Sequence, residues 1–280
     1  MARARQYSNR TQRSPERRNR ASGEQWLTGL HPVLEALRAR RRRLDGLIVR
    51  AGRPRAELRE IIDLARVLGV PVEEVGVEAL DRRVEGDWNH QGVALRVGPL
   101  PELSMAELLD LVGRAPPGKR ILALDGVEDP QNVGAVARVA ESAGVLGMIL
   151  TQRRAPALTP SVARASAGAI EWLPVARVSN LGRALSELQS QDYWILAAAP
   201  DAEGTLYDMK DRILTGNLVV VLGAEGKGLR PSILSQADHR VGIPMRGRVD
   251  SLNVSTAGAV LLYDLLRRSE SAVSDPRGEH

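Results

Sequence analysis

Leu218-Val219-Val220-Val221-Leu222-Gly223-Ala224-Glu225-Gly226-Lys227-Gly228-Leu229 is an apolar run that breaks into a glycine-rich turn. A strand that is apolar without alternation belongs to a sheet covered on both faces. Shorter runs of the same kind precede it, at Ile121 to Leu124, Met148 to Leu150 and Tyr193 to Ala198. Helical spacing fills the gaps, at Val133 to Ala143 and Leu181 to Leu188. Strands alternating with helices predict an α/β unit with a parallel sheet, from Arg120 to about Arg268.

Working back toward the start, Gly98-Pro99-Leu100-Pro101 and Ala115-Pro116-Pro117-Gly118 break the pattern twice. Between them Ser104 can cap a helix through Leu111. Residues 98–118 read as a linker. Residues 27–97 form a second, smaller α/β unit. Its first helix carries Val33, Leu34 and Leu37, followed by the strand Leu47-Ile48-Val49. Leu58, Ile61, Ile62, Ala65 and Leu68 make the next helical stripe, closed by Gly69. Pro71 and Val72 start a short extended piece, and Gly92 to Val97 reads as a closing strand.

Charge is concentrated at the front. Residues 1–20 hold seven arginines against Glu16, and the whole chain is only +5. Residues 1–26 are therefore expected to be a basic, disordered arm that grips phosphates, with a solubilising or targeting tail as the plainer alternative, and residues 269–280 a loose tail. A second basic cluster, Arg38 with Arg40 to Arg43, closes the first predicted helix. No apolar run approaches the length of a membrane span, and no apolar signal core opens the chain. The expected location is the cytoplasm, with organellar targeting by the arm as the alternative. Cysteine is absent, and His31, His90, His239 and His280 have no metal-ligand spacing. No metal is expected. With no Phe and only four Trp and four Tyr, a stacking platform for single-stranded RNA is poorly supported.

In α/β folds ligands sit at the carboxyl ends of strands, and three such ends are rich in glycine and polar residues. The first is Asp125 to Arg138, where Asn132 is a candidate N-cap. The second is Leu222 to Leu229. It has neither the Walker order nor the G-x-G-x-x-G order, and alone it could be a bare turn. The third, Ile243 to Ala259, alternates Ser251, Asn253 and Ser255 with Leu252 and Val254. Asn253 or Ser255 could merely cap the helix that follows. Arg164, with Ser166 and Gly168 in a small-residue stretch, could lie at an RNA face or simply be a surface arginine.

Taken together these segments resemble the three signature motifs of the SpoU family of SPOUT RNA 2′-O-methyltransferases: D-G-x-x-D-P-x-N-x-G-A-x-x-R from Asp125, L-G-A-E-G-x-G-L from Leu222, and I-P-M-x-G-x-V-x-S-L-N-V-S from Ile243. Val139, where threonine is common in the family, and the arginine arm lie outside the pattern. The likeness spans residues 27–268, and the layout is most similar to members that methylate a guanosine ribose of 23S ribosomal RNA. It implies an L30e/L7Ae-like RNA-binding unit at 27–97, including a closing His90-Gln91-Gly92 turn. It further implies a SPOUT methyltransferase unit at 119–268 with a C-terminal trefoil knot, and a homodimer with its active site at the subunit interface.

The same resemblance implies S-adenosyl-L-methionine as cofactor, held around Gly223, Ile243, Met245 and Leu252. Asn132, Arg138, Glu225, Ser251 and Asn253 map onto catalytic and substrate-contacting positions. Arg138 comes forward as a base, yet a guanidinium has donors only and is a poor proton acceptor. Holding a phosphate and favouring the developing alkoxide suits it better. Three rival readings are a non-catalytic RNA-binding assembly factor, a Rossmann or P-loop enzyme, and a transfer-RNA methyltransferase of the same family. The intact third motif disfavours the first, the glycine order disfavours the second, and the separate front unit favours ribosomal RNA over the third.

Overall fold

The computed structural model describes residues 25–84, 89–200, 202, 204–249 and 251–274. The arginine arm falls, apart from Gln25 and Trp26, outside the described residues, as do the last six residues of the expected tail.

The front unit begins with β1 (Gln25–Thr28), α1 (Leu30–Ala39), β2 (Leu44–Arg50) and α2 (Ala56–Val67). It ends with β3 (Val72–Val75), α3 (Val77–Val84) and β4 (Val93–Val97). The strands form one sheet in the order β1-β4-β2-β3. β3 runs parallel to β2, and the other pairings are antiparallel. α2 buries Leu58, Ile61, Ile62 and Ala65 of the predicted stripe, while Leu68, its last member, is the half-buried C-cap. It stops because Gly69 takes φ +70°. The Gly69 and Val70 N–H groups then turn back onto the Arg66 and Ala65 carbonyls, satisfying helix-end acceptors. The His90-Gln91-Gly92 turn is built from side chains as well. His90 Nδ1 accepts from the Gly92 N–H at 2.9 Å, and Gln91 Oε1 caps α1 through the Leu30 N–H at 2.9 Å. α3, which the sequence reading did not single out, buries Leu80 against Ile48 and Ala94, with Val84 packed beside them.

The linker holds α4 (Met105–Gly113), opened by a reciprocal Ser104–Glu107 capping box. It also adds to the main sheet, since Leu103 exchanges backbone hydrogen bonds with Val175 and Arg177.

The rear unit runs β5 (Arg120–Asp125), α5 (Pro130–Ser142), β6 (Gly147–Thr151), α6 (Pro160–Ala165), β7 (Val175–Val178), α7 (Leu181–Gln189) and β8 (Trp194–Ala198). There follow α8 (Asp211–Leu214), β9 (Leu218–Gly223), α9 (Pro231–Leu234), β10 (His239–Val241) and α10 (Val254–Ser274). All six strands are parallel, in the order β10-β8-β9-β5-β6-β7. Alternate residues feed two cores: Leu122, Leu124, Met148, Val220 and Leu222 on one face, Ile121, Ala123, Ile149, Val219 and Val221 on the other. That two-sided burial is why the strands are apolar throughout.

The structure corrects several readings. Asn132 is not the cap of α5. Asp129 is, accepting from the Gln131 N–H at 2.9 Å, because Pro130 occupies the first helical position, which lacks a partner for an N–H anyway. α10 continues to Ser274, so residues 269–274 are helical rather than loose; no proline or glycine interrupts them. The small-residue stretch around Arg164 is a joint between the units. Arg164 donates to Thr28 at 3.2 Å, and burial lowers its pKa.

Candidate active site

The carboxyl ends of β5, β8, β9 and β10 meet at one end of the rear sheet, and the three motif loops leave from there. β5 closes on Asp125, a buried carboxylate that accepts from the Arg230 N–H at 3.0 Å and from Arg230 Nε at 2.8 Å. This pair ties the far end of the glycine loop to the strand beside it. Neither residue was singled out from the sequence, although an acid ending an apolar strand just before Gly126 was the available signal.

The glycine loop folds back onto its own strand. The Gly228 N–H donates to the Ala224 carbonyl at 2.8 Å, with Gly226 at φ +72° and Gly228 at φ +61°. A Cβ on Gly223 would stand 2.3 Å from the Gly228 carbonyl carbon, so only glycine fits there. After β10 the chain runs beside the segment that follows β8. A Cβ on Gly242 would lie 3.4, 3.7 and 3.8 Å from the carbonyl oxygens of Ala199, Pro200 and Gly204. Gly242 also donates its N–H to Gly204 and accepts from the Leu206 N–H.

Side chains from all three loops are hydrogen-bonded to one another. Asn132 Nδ2 donates to Glu225 Oε1 at 3.0 Å, and Asn253 Nδ2 donates to Asn132 Oδ1 at 3.0 Å and also to Glu225 Oε1. The other end of the Asn253 amide caps α10, accepting from the Ser255 N–H at 2.8 Å. The cap reading of Asn253 therefore holds, but it accounts for only half of the side chain.

Beside this cluster opens a cavity of about 730 Å³. Its apolar wall includes Ala198, Leu222, Val241, Ile243, Met245 and Leu252; its polar rim includes Glu225, Ser251 and Asn253, and Gly223 supplies bare backbone. Arg138 stands apart. It is exposed on α5, lines no part of the cavity and makes no hydrogen bond among the described residues. Lys227, Arg246 and Arg248, next to the lining segments, are also exposed, so the mouth carries cations that attract phosphate. Sequence reading missed the Ala198–Pro200 wall, which follows the apolar end of β8.

Such a site can enclose a ligand with one apolar end and one polar end, and present a second, anionic molecule at its mouth. Among the described residues, no group of three or more His, Cys, Asp or Glu could hold a metal ion. No described helix is long and apolar enough to cross a membrane.

Residues 119–263 match the SpoU rRNA Methylase family, and residues 26–103 match RNA 2′-O ribose methyltransferase substrate-binding domains. A 23S rRNA (guanosine-2′-O-)-methyltransferase RlmB of Xylella fastidiosa is 38% identical over 244 residues, 87% of this chain and 96% of that protein. The RlmB of Pasteurella multocida is 37% identical, covering 86% and 96%. Among solved structures, an RNA 2′-O ribose methyltransferase superposes with TM-score 0.73 at 26% identity, over 90% of this chain and 91% of that one. The SpoU methyltransferase AviRb of Streptomyces viridochromogenes, solved with the cofactor AdoMet, shares the fold at TM-score 0.74 and 20% identity, over 94% and 95%. With both units matched and the motif loops gathered at one cavity, this chain belongs to the SpoU rRNA methylase family.

Proposed function

We propose that the chain transfers a methyl group from S-adenosylmethionine to the ribose 2′-hydroxyl of a guanosine in 23S ribosomal RNA. The observation that carries this reading is the hydrogen-bonded Asn132–Glu225–Asn253 cluster at the rim of the cavity. The RlmB relatives named above support the substrate.

The residues present fit the cofactor. The cavity is of ordinary ligand size. Gly223 leaves backbone open where a Cβ would collide with the returning loop. The apolar side chains of Leu222, Ile243, Met245 and Leu252 suit an adenine, and the polar rim suits the amino-acid end. When bound, S-adenosylmethionine supplies an electrophilic methyl carbon on a sulfonium, so the protein's task is alignment and help with one proton. Ser251 and Asn253 orient the ribose at the rim. Glu225 accepts from both amides and holds the three loops in register. Arg138 grips the phosphate beside the target ribose and favours negative charge on the 2′-oxygen.

The proposal assigns residues 27–97 to RNA gripping, 98–118 to the linker and 119–268 to catalysis, with the 1–26 arm adding phosphate contacts. It includes the trefoil knot that the resemblance of the three motifs implies. It also includes a homodimer: Val249 and Leu252, exposed apolar side chains beside the cavity, and Tyr263 on α10 are surface a second copy would cover. The place of action is the cytoplasm.

The test is methyl transfer from labelled S-adenosylmethionine to unmodified ribosomal RNA, with total transfer RNA in parallel and nuclease mapping of the product. Label in one alkali-resistant dinucleotide of 23S RNA is expected. Label confined to transfer RNA would overturn the substrate, and neither transfer nor cofactor binding would overturn the enzyme.

A further inference from the structure

The joint between the two units is built unlike a surface contact. Arg42, just beyond α1, and Glu171, in the short turn Ala169–Glu171, have side chains with 0% exposure each. Arg42 Nε donates to Glu171 Oε2 at 2.9 Å, and its Nη2 donates to Oε1, a two-pronged bond between guanidinium and carboxylate. Arg42 Nη1 reaches the Gly98 carbonyl at 3.4 Å, where the chain leaves the front unit. The neighbouring Arg41 donates to the carbonyls of Glu171 at 3.2 Å and Leu173 at 3.0 Å. Across the same seam Trp172 Nε1 donates to Glu35 at 2.7 Å. α1 approaches so closely that a Cβ on Gly168 would stand 2.7 Å from the Glu35 Cβ.

A buried ion pair is a poor way to add stability, because desolvating two charges offsets most of their attraction and an apolar pair of similar volume does as well. What the pair supplies is direction. A planar fork meets a carboxylate in one orientation, whereas apolar side chains slide. The joint also leads to the cavity through closely packed helices. Glu171 follows α6, and α6 lies against α5 so tightly that a Cβ on Gly134 would be 2.4 Å from the Ala165 Cβ. α5 carries Asn132 and Arg138.

We propose that Arg42 and Glu171 are a positioning pair that locks the front unit onto the catalytic unit at one angle, so that RNA held in front arrives at the cavity in register. The assignment rests on the reading of the front unit as the RNA-gripping part.

The absence of cysteine makes the experiment direct. Val67→Cys on the front unit and Ser186→Cys on the rear unit, both exposed positions, take spin labels whose separation reports the angle. The double-labelled protein is compared with the same protein carrying Glu171→Gln, which removes the charge and keeps the shape, or Arg42→Lys, which keeps the charge and removes the fork. A narrow label distribution is expected in the parent and a broad one in both variants. Cofactor affinity should stay within about twofold, while kcat/KM on ribosomal RNA falls about 10²-fold, the usual consequence of roughly 1 Å of misplacement. Arg42→Met combined with Glu171→Leu keeps the test open if the single variants do not fold; it should fold, stay broad and stay slow. A narrow distribution in Glu171→Gln, or wild-type rate and a narrow distribution in the apolar pair, would overturn the lock. If the parent methylates no RNA at all, the proposed function fails, yet the label distributions still decide whether the pair fixes the angle.

Discussion

Asn253 Nδ2 donates to Asn132 Oδ1 at 3.0 Å, joining the start of α10 to the first turn of α5 across 121 positions of sequence. The same amide caps α10 with its oxygen. Its two ends therefore do separable jobs, and one substitution can split them. Asn253→Asp keeps the capping acceptor, since Asp and Asn cap about equally well. It also exchanges the donor for a second carboxylate beside Glu225. Thermal stability should move by no more than about 2–4 °C, while methyl transfer falls about 10²-fold. Scanning calorimetry and initial rates on one preparation check this, and an unchanged rate would remove the cluster from the catalytic account.

Arg138 lies outside that cluster and exposed, so its work must be done on something that arrives. Arg138→Lys retains the charge but not the fork that grips a phosphate on two oxygens. The expected result is a drop in kcat/KM of about tenfold or more with cofactor affinity unaltered. A variant that keeps full rate would rule out the two-pronged role.

Gly223→Ala would place its Cβ 2.3 Å from the Gly228 carbonyl carbon and 2.5 Å from the Leu229 nitrogen. Both are backbone atoms with no rotamer to give, so the loop must move. Overpacking of this kind destabilises by about 1–3 kcal/mol, and the displaced loop lines the cavity. Isothermal titration with S-adenosylmethionine should show binding weakened at least about tenfold. Binding equal to the parent's would place the cofactor elsewhere.

Acid should loosen the fold only well below neutral pH. Glu107 is held below its ordinary value by hydrogen bonds from the Ser104 backbone and hydroxyl, and Asp208 by those of the Thr205 hydroxyl and backbone. For Asp264 burial pushes upward, but the hydrogen bonds and charges of Arg267 and Arg268 more than offset it. Each folded-state pKa is lower than the unfolded one. The unfolded chain therefore binds more protons as pH drops, and the stabilisation is complete above the ordinary carboxylate range and lost as pH falls through the depressed values. Urea midpoints should be level from pH 7 to about 5 and decline below about 4.5. A decline already between pH 7 and 6 would point to histidine instead.

The strands of the rear sheet were legible where both faces are covered, because alternate residues such as Ile121 and Leu122 enter different cores and both must be apolar. β7 and β10 were not. β7 has Arg177 at its centre, tolerated because the guanidinium reaches Glu102 and the carbonyls of Thr151 and Pro156. β10 is a three-residue edge strand beginning His239-Arg240, with no pattern to find. The motif loops could be read as ligand-bearing from their glycines and polar residues. Their mutual pairing could not, since Asn132, Glu225 and Asn253 meet only once β5 and β9 lie side by side. Nor was the Arg42–Glu171 pair visible, because an arginine within a basic cluster reads as solvated until its partner, 129 positions away, is seen.

β9 is the central strand that neighbours β5, yet it enters the chain late: Lys119, just before β5, donates to Asn217 Oδ1 98 residues further on. A ribosome adding about 5–20 residues per second leaves the nascent β5 edge without its partner for several seconds. Throughout that interval β5, β6 and β7 can assemble only half a sheet, with an unpaired apolar border open to the wrong strand. Synthesis of this protein therefore has a vulnerable window that closes only after Gly223 clears the exit tunnel. Hosts that slow translation upstream of Leu218 would widen it, and chaperone demand should follow.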